Sequence, residues 1–367
     1  INVFNAQVDI QIHNEREGKS APHILRDPSK ISWSSSLEQN LEKRQMLSME
    51  PNSARLSLYR PFLKQWLYYN QSLNARRYQT TRLFPSAECQ NKVIQVSGIG
   101  ARAGFSVLMS SSIPSLDTIE KGQCFPLYAY EPEEGNKGDL LQSLSKTESG
   151  YQRKDGITDE ALKHFCAAYP GQNLSKEDLF YYIYGLLHSE DYRAQFKNNL
   201  AKELPRIPAV KSAEDFWAFS KAGRALGELH VNFETVDPYP VEIEHSQDDA
   251  TAMDDPVAYY RVTKMKYAGK RGSQDRSTLI YNPNITLKGI PVEAYDYVVN
   301  GKSALDWVVE RQSVKTDKAS GITNDANDYA NETMNNPAYP LELFCRVITV
   351  SLETTKIVRS LPDLDID

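Results

Sequence analysis

The segment Ser175–Ser189 has the sequence SKEDLFYYIYGLLHS, and it predicts the helix around which the fold is built. Ser175 followed by Lys, Glu and Asp is a helix-capping pattern, because the serine side chain accepts a hydrogen bond from a free backbone amide of the first turn. The residues that follow, Glu177–Leu187, are apolar on nearly every face, whereas a surface helix is apolar along one stripe. We therefore expect this helix to lie at the centre of a hydrophobic core.

The segments around this helix also have helical patterns: one that begins at Thr158, then Asp191–Glu203 and Ala213–His230. Pro205 and Pro208 interrupt the chain between the last two, since proline removes a backbone donor. Together these segments predict a helical middle block over residues 131–256. Its first part, Glu131–Arg153, is poor in apolar residues and is the best linker candidate. Its last part, Glu242–Asp255, has the composition of an acidic, solvated loop.

The flanking blocks are expected to combine strands and helices. The first, residues 1–130, is predicted to be α/β, with a strand-like alternation, a helical stripe and two buried strands around a glycine-rich turn, over Ile1–Ile12, Ser34–Met49, Lys92–Val96 and Phe105–Met109. The third, residues 257–367, is predicted to contain a β-hairpin, Val257–Lys266 with Ser277–Tyr281, and a buried terminal helix, Pro340–Leu352. The expected fold class is therefore α+β, mixed and multi-lobed.

The composition excludes several classes of protein. The chain has 367 residues, of which 40% are apolar and 25% charged, and no run approaches the roughly 18–20 apolar residues that a membrane span needs. Four scattered cysteines indicate reduced thiols in a cytoplasm, and six unclustered histidines give no zinc site. Because a secretory signal and an initiator methionine are both absent, we expect a cytoplasmic piece of a longer polypeptide, with no membrane partner.

The net charge of −6 is unevenly distributed along the sequence. Residues 1–130 contain 15 Lys and Arg against 10 Asp and Glu, residues 131–260 contain 13 against 24, and residues 261–367 contain 14 of each. The acidic mean argues against a protein that binds nucleic acid over its whole surface. It conceals, however, a basic first part and a strongly acidic middle.

The first concentration of positive charge is Arg55–Arg82, which contains six basic residues and no acidic one. Aromatic residues are interleaved with the basic ones: Tyr59, Phe62, Trp66, Tyr68, Tyr69 and Tyr78. Basic side chains neutralise phosphates and aromatic rings stack on bases or sugars, which makes Arg60, Lys64, Arg76 and Arg77 candidate DNA-binding residues. The alternative is an amphipathic element whose aromatic residues are in the core and whose arginines face solvent.

The second concentration is Arg261–Lys288, which contains seven basic residues and one acid, Asp275. A two-stranded ribbon fits the major groove of DNA, and a Lys-Arg-Gly tip reaches phosphates or a guanine edge. The candidate DNA-binding residues here are Lys266, Lys270, Arg271 and Arg276. The alternative is a polar hairpin on a protein surface.

Motifs for catalysis or cofactor binding are incomplete. Gly98–Gly104 has the glycines of a loop that cradles a phosphate, but a strand rather than a helix follows it, which favours a tight turn between strands. Asp237–Pro240 places its tyrosine third rather than fourth, unlike the base-stacking motif of amino-methyltransferases. Glu242–Glu244 lacks the lysine of a nuclease motif. We therefore predict no catalytic, cofactor-binding or metal-binding residue in this chain.

Several runs resemble the C-terminal portion of type ISP restriction–modification enzymes and occur in that family's order: Tyr59–Phe62, Gly122–Tyr128, Tyr182–Ser189, Lys202–Pro208, Phe219–Leu229, Gly301–Trp307 and Val314–Asp325. The resemblance implies that residues 1–130 are the trailing part of a methyltransferase. It further implies that the blocks at 131–256 and 257–367 together form a target-recognition domain. These enzymes join a nuclease, a helicase-like motor, an adenine methyltransferase and a target-recognition domain in one polypeptide.

The function implied by the resemblance is sequence-specific binding of double-stranded DNA, which positions an adenine for N6 methylation. The enzymatic activities, with S-adenosylmethionine, ATP and Mg, are expected in upstream methyltransferase and motor domains of the same polypeptide rather than in this chain. The alternative is a docking scaffold within that polypeptide, in which the acidic middle block contacts those domains and the chain alone binds DNA weakly. A further alternative is an enzyme of another class.

Overall fold

The computed structural model of the chain describes residues 1–19, 24–133, 150–246, 254–270 and 272–366. In the first 130 residues the helices are α1 (Asn2–Arg16), α2 (Ser35–Glu42) and α3 (Thr80–Leu83). The strands are β1 (Ala54–Arg60), β2 (Leu63–Tyr68), β3 (Val93–Val96), β4 (Val107–Ser110), β5 (Ile113–Pro114), β6 (Gln123–Pro126) and β7 (Tyr128–Pro132).

The middle of the chain is mainly helical. Its elements are β8 (Tyr151–Asp155), α4 (Asp159–Ala168), α5 (Lys176–His188), α6 (Glu190–Gln195), α7 (Lys197–Leu200), α8 (Ala213–Val231) and β9 (Glu242–His245). The rest of the chain contains α9 (Pro256–Tyr260), β10 (Lys266–Lys270), β11 (Ser273–Ile280), β12 (Ile285–Lys288), β13 (Val298–Val299), β14 (Lys302–Ser303), α10 (Ala304–Arg311), β15 (Val314–Thr316), β16 (Thr323–Asp325), α11 (Ala326–Asp328) and α12 (Tyr339–Arg359). A π-helical turn, Tyr329–Thr333, follows α11.

The strands form small sheets rather than one large one. The larger sheets have the orders β2-β1-β5, β4-β3-β6 and β10-β11-β12-β9, and the pairs β7-β8, β13-β14 and β15-β16 are separate. Pairing is antiparallel in each case except that of β1 with β5. Several small sheets among many helices confirm the predicted α+β class.

Helix α5 occupies the position that its sequence predicts. Ser175 and Asp178 form a reciprocal capping box, in which each side chain accepts a hydrogen bond from the other residue's backbone amide. The side chains of Leu179–Tyr182 and Tyr184–His188 are buried. The helix packs closely along α8, which Ser212 caps through its side chain. The predicted cap at Thr158 is present as well.

Two main hydrophobic clusters hold the fold together, and both cross the boundaries of the predicted blocks. One joins α5 and α8 to Ile94 and Met109 of the first block. The other contains the third sheet, α10 and α12, and also Leu58 and Phe62 of the first block. The division at 1–130, 131–256 and 257–367 therefore describes changes in composition, and as a set of domain boundaries it stays a prediction.

The predicted strand at Ile1–Ile12 is wrong, because this segment is helix α1. Phe4 and Val8 are four residues apart, so one helical face brings both of them against α2, which contributes the buried Leu37 and Leu41. The pattern of apolar residues fits two kinds of structure, because those at positions 1, 4, 8 and 12 also have the spacing of one face of a helix.

Two local predictions near the third block also need correction. Val257–Tyr260 is helical rather than extended, because the Asp255 carboxylate accepts a hydrogen bond from Ala258 N and Pro256 occupies the first turn. Glu242–His245 is an edge strand that pairs with β12, not a solvated loop, although its side chains are exposed. Both described ends of the predicted linker are strand rather than loop, since Glu131 pairs with Gln152 and Pro132 with Tyr151. The remainder of the acidic loop and of the linker falls largely outside the described residues, at 247–253 and 134–149.

Candidate nucleic-acid interface

Strands β1 and β2 form a hairpin whose turn is inserted into the rest of the protein. Phe62 adopts a backbone φ of 57° and is buried, with its ring edge-on to Phe233, 5.5 Å between centroids. Arg60, next to this turn, has its guanidinium 4.2 Å from the Tyr59 ring centroid and 4.0 Å from the Asp117 carboxylate. The aromatic residues of this run are thus partly core, and the Arg60 side chain is itself only 16% exposed.

Lys64 is engaged in an ion pair within the protein. Its Nζ lies 2.6 Å from Glu234 Oε2, and the side chains of Lys64 and Glu234 are only 14% and 11% exposed. The same carboxylate accepts a hydrogen bond of 2.6 Å from Tyr339 Oη. A DNA phosphate would therefore have to displace Glu234 to reach Lys64.

Arg76 and Arg77 lie in the segment between β2 and α3. Arg76 is exposed, with φ 61°, and Arg77 has its guanidinium 5.1 Å from the Tyr69 ring centroid. Tyr69 is fixed in turn by a hydrogen bond of 2.6 Å to Thr80 Oγ1. The next residue, Tyr78, is 72% exposed. An exposed arginine, a partly ordered arginine and an exposed aromatic ring form a surface suited to phosphates and bases.

Lys266 and Lys270 lie at the two ends of β10, the edge strand of its sheet, and both are exposed. A hairpin is present here, but its first strand begins at Lys266, where the predicted strand Val257–Lys266 ends; Lys266 pairs with Ile280 and Lys270 with Ser273. Its register shifts after Tyr267, which twists the ribbon away from a flat edge. Arg271, at the tip, lies outside the described residues.

Arg276, on β11, is held by a cluster of side chains. Its guanidinium lies 3.9 Å from the Tyr295 ring centroid and forms an ion pair with Asp306, while Tyr267 Oη donates a hydrogen bond of 2.9 Å to the same carboxylate. Burial alone would lower the pKa of Arg276, but the hydrogen bond to Asp306 raises it overall. These contacts fix the base of the hairpin, and they leave Lys266 and Lys270 as its more accessible charges.

The β1–β2 part of the first basic segment lies on the same lobe as the β10–β11 hairpin, whereas Tyr69, beside Arg77, packs in a separate cluster with Leu83 and Phe84. Leu58 and Phe62 from the β1–β2 hairpin belong to the same hydrophobic cluster as Leu279 of β11. Residues 327–333 make polar contacts with both parts. Thr333 Oγ1 accepts a hydrogen bond of 2.9 Å from Trp66 Nε1 of β2, and Asn327 Nδ2 donates one of 2.8 Å to the carbonyl oxygen of Val262, which precedes β10. Basic residues that are about 200 positions apart in sequence are therefore carried by one packed unit.

A cleft of 840 Å³ lies between the β1–β2 hairpin and the α5–α8 pair. Three cations that sequence reasoning did not select line it: Arg55, Lys92 and Arg153. Arg153 lies 4.0 Å from the Tyr128 ring centroid. Burial alone would lower the pKa of Lys92, but hydrogen bonds with Glu228 and Tyr181 raise it. Because these residues come from distant parts of the chain, no local pattern identifies them.

Most backbone amides of the glycine-rich loop at Gly98–Gly104 already donate hydrogen bonds within the protein. The Glu120 carboxylate accepts hydrogen bonds from Arg102 N and Ala103 N, and Gly98 N donates to the Glu120 carbonyl. A Cβ at Gly98 would lie 2.1 Å from the Lys121 carbonyl oxygen, which explains the glycine there. The loop joins the antiparallel strands β3 and β4, so it is the tight turn that the following strand indicates.

Within the ranges that the structure describes, no group of three or more His, Cys, Asp or Glu side chains is arranged to hold a metal ion. No helix in this described part is long and apolar enough to cross a membrane.

Comparison with known families identifies the chain. The family described as the Type ISP C-terminal specificity domain matches residues 4–343. The chain belongs to this family. The specificity domain has no significant match among curated proteins.

Solved structures of similar enzymes align with the specificity domain over nearly its whole length. It is 34% identical, with a TM-score of 0.81, to the ATP-dependent Type ISP restriction-modification enzyme LlaBIII bound to DNA, and all of the chain is covered. It is also 34% identical, with a TM-score of 0.80, to a nuclease-deletion mutant of the Type ISP restriction-modification enzyme LlaGI in complex with a DNA substrate mimic, and again all of the chain is covered. The DrdV–DNA complex matches 98% of the chain, with 32% identity and a TM-score of 0.76. The specificity domain spans only 22%, 30% and 32% of those three chains, respectively.

Proposed function

We propose that the specificity domain binds double-stranded DNA and reads its sequence for a larger restriction–modification polypeptide. The observation that carries this proposal is the hydrophobic cluster that joins the β1–β2 hairpin of the first basic segment to β11 of the second, together with the exposure of Arg76, Lys266 and Lys270. None of these three side chains forms an ion pair with a described carboxylate. Unpaired cations on one surface attract phosphates and release counterions when they bind.

The relatives support the same function. The similar LlaBIII, LlaGI and DrdV structures contain DNA or a DNA substrate mimic. We extend this property to the present chain because its likeness to them covers at least 98% of its length. We further propose that a methyltransferase acting on adenine N6 and an ATP-driven motor lie elsewhere in the polypeptide, with S-adenosylmethionine, ATP and Mg bound in those parts.

Of the eight candidate residues, Arg76, Arg77, Lys266, Lys270 and Arg271 are retained as proposed DNA contacts, whereas Arg60, only 16% exposed and 4.0 Å from Asp117, is proposed to support the turn of the β1–β2 hairpin. Lys64 and Arg276 are proposed to act indirectly, since Glu234 and Asp306 already pair with them. In this role they hold β2 and the base of the β10–β11 hairpin in place, so that neighbouring cations keep their positions.

The acidic middle supports a second role, docking to other domains of the polypeptide. Residues 131–260 contain 24 acidic and 13 basic residues, and such a surface is repelled by phosphates. We propose that this part faces away from DNA and contacts the methyltransferase or motor domains.

A salt titration tests DNA binding. The 367-residue chain is titrated against a fluorescein-labelled 30-base-pair duplex at several NaCl concentrations, and log Kd is plotted against log salt. Lys266→Ala/Lys270→Ala is expected to lower the slope by about 1.8, since each lost phosphate contact removes about 0.9. A salt-independent wild-type affinity would contradict the proposal.

The matched control removes two exposed lysines from the acidic middle, Lys163 and Lys221. Lys163→Ala/Lys221→Ala has the same charge change and should leave the slope unaltered. Sequence reading is tested separately by repeated selection from a random duplex pool, which should enrich one motif. Recovery of unrelated sequences would limit the function to non-specific binding.

A further inference from the structure

Strands β15 and β16 form a short hairpin, Val314–Asp325, that projects from the same lobe as the β10–β11 hairpin. Its residues from Lys315 to Asn324 are exposed, apart from the half-buried Ser320. This segment is one of those that resemble the type ISP family. It lies outside both basic segments, Arg55–Arg82 and Arg261–Lys288, and is not among the DNA contacts proposed above.

The hairpin is anchored beside the residues that lead into β10. Val314 N donates to the Thr263 carbonyl at 2.9 Å, and Arg261 forms an ion pair with Asp325 at the other end of the hairpin. Lys264 directly follows Thr263 in the sequence, and Lys315 directly follows Val314. Both lysines therefore lie next to this hydrogen bond. The hairpin therefore extends the basic surface of Lys264 and Lys266.

The tip is rigid. Asp317 Oδ1 accepts hydrogen bonds from Ala319 N, Ser320 N and Ser320 Oγ, and Asp317 N donates to the Ile322 carbonyl at 2.9 Å. Thr316 and Thr323 are joined across the strands by a 2.8 Å hydrogen bond between their hydroxyls. A tip that is ordered before binding loses little conformational entropy when it meets a partner.

The acids near this tip have their own partners, which leaves the two lysines of the hairpin without a direct ion pair. Asp317 is bonded to the turn amides, Asp325 pairs with Arg261, and Glu310 pairs with Lys302 and Arg311. Lys315 and Lys318 form no ion pair with any described carboxylate. Ile322, which directly precedes strand β16, is 59% exposed.

We propose that this tip is a separate DNA-contacting element, in which Lys315 and Lys318 bind phosphates and Ile322 packs against a base step or sugar. The inference rests on the proposed DNA-binding function and adds a site to it. An apolar side chain flanked by lysines is the arrangement that proteins use to press against base steps. The similar solved structures are complexes with DNA or a DNA mimic, which favours DNA as the partner of these lysines over an acidic protein surface such as the middle block.

Two kinds of variant separate the two contacts in the same duplex titration. Lys315→Ala/Lys318→Ala is expected to lower the salt slope by about 1.8. Ile322→Ala is expected to weaken binding about five- to tenfold with an unchanged slope, because apolar contact releases no counterions. Ile99→Ala is the matched control, since Ile99 is 57% exposed and lies in the glycine-rich loop. Its affinity should equal that of the wild type.

Photo-cross-linking identifies what the tip touches. A benzoylphenylalanine placed at position 322 should cross-link to the labelled duplex, while the same group at position 99 should not. If the wild type binds DNA with a steep salt slope but the tip variants bind equally well, the inference fails and the proposed function stands. If the wild type shows no salt-dependent binding, the proposed function fails first. Cross-linking to a second protein chain instead of DNA would also overturn the inference.

Discussion

The close approach of α5 and α8 gives a sharp test of how the middle of the fold is held together. A Cβ added at Gly223 would lie 1.9 Å from the Tyr181 carbonyl oxygen and 2.7 Å from Gly185 N. Both opposing atoms belong to the backbone of α5, so neither can rotate away. Gly223→Ala therefore forces the two helices apart by more than 1 Å, a gap that forfeits about a quarter to a half of the dispersion energy across the seam.

The expected loss is the difference between two effects. Overpacking costs about 1–3 kcal/mol, and this site lies at the upper end or beyond because the obstruction is backbone. Alanine is more favourable than glycine in the interior of a helix by about 1 kcal/mol, which offsets part of this cost. The net destabilisation is therefore about 2 kcal/mol or more, even though alanine is the better helix former.

Urea denaturation followed by far-ultraviolet circular dichroism measures this loss as a lower midpoint. Gly227→Ala, one turn further along α8, is the matched control, since its Cβ would meet the Met109 Sδ at 2.9 Å. Because the obstruction is side chain rather than backbone, with the Tyr181 ring at 3.1 Å as the next contact, the effect should be smaller than that of Gly223→Ala. A Gly223→Ala protein as stable as the wild type, or a Gly227→Ala protein that loses equally much, would refute the reasoning.

The remaining predictions concern buried polar groups. Burial lowers the pKa of His230 to about 3, and it lowers that of His188 well below the ordinary 6.5, with Arg193 and His230 adding to the effect on His188. The unfolded chain therefore binds protons that the folded chain cannot, so stability falls as pH drops below 6.5, by about 1.4 kcal/mol per pH unit for each histidine. Urea midpoints between pH 6.5 and 5 should fall less steeply for His230→Gln, and parallel curves would contradict this. Lys64→Met should cost about 2–3 kcal/mol of stability by leaving Glu234 without its cation, and Lys64→Met/Glu234→Gln should recover part of it. If Lys64→Met instead lowers the salt slope of DNA binding at unchanged stability, Lys64 contacts phosphate directly. Arg276→Lys should lower the thermal midpoint, since lysine cannot stack on Tyr295 and pair with Asp306 as the guanidinium does; an unchanged midpoint would count against the cluster.

Local patterns in the sequence were sufficient for the best-defined elements. The capping residues Thr158 and Ser175 predicted the starts of α4 and α5, and the apolar faces of Glu177–Leu187 predicted its burial. Lys92–Val96 and Phe105–Met109 likewise predicted the paired strands β3 and β4. These features depend on hydrogen bonds and side-chain faces within a few residues, so a single stretch of sequence contains all the information they require.

The partners of charged residues could not be found in the same way. The sequence placed Lys64 in a run without an acid and Arg276 directly after Asp275. The partners that the structure gives them are distant, since Glu234 lies 170 positions from Lys64 and Asp306 lies 30 from Arg276. Ile1–Ile12 fitted two periods equally, and its contact with α2 decided for the helix. The cations Arg55, Lys92 and Arg153 share a cleft although no pattern connects them.

The sequence by itself thus determined where helices begin, which helix is central, the α+β class and the family resemblance. The tertiary structure decided which positive charges are already neutralised and which stay exposed on the lobe that carries the β1–β2 and β10–β11 hairpins. The physical reason is that an ion pair depends on the distance between two side chains in space. Packing sets that distance, and residues far apart in the chain take part in it as readily as neighbours.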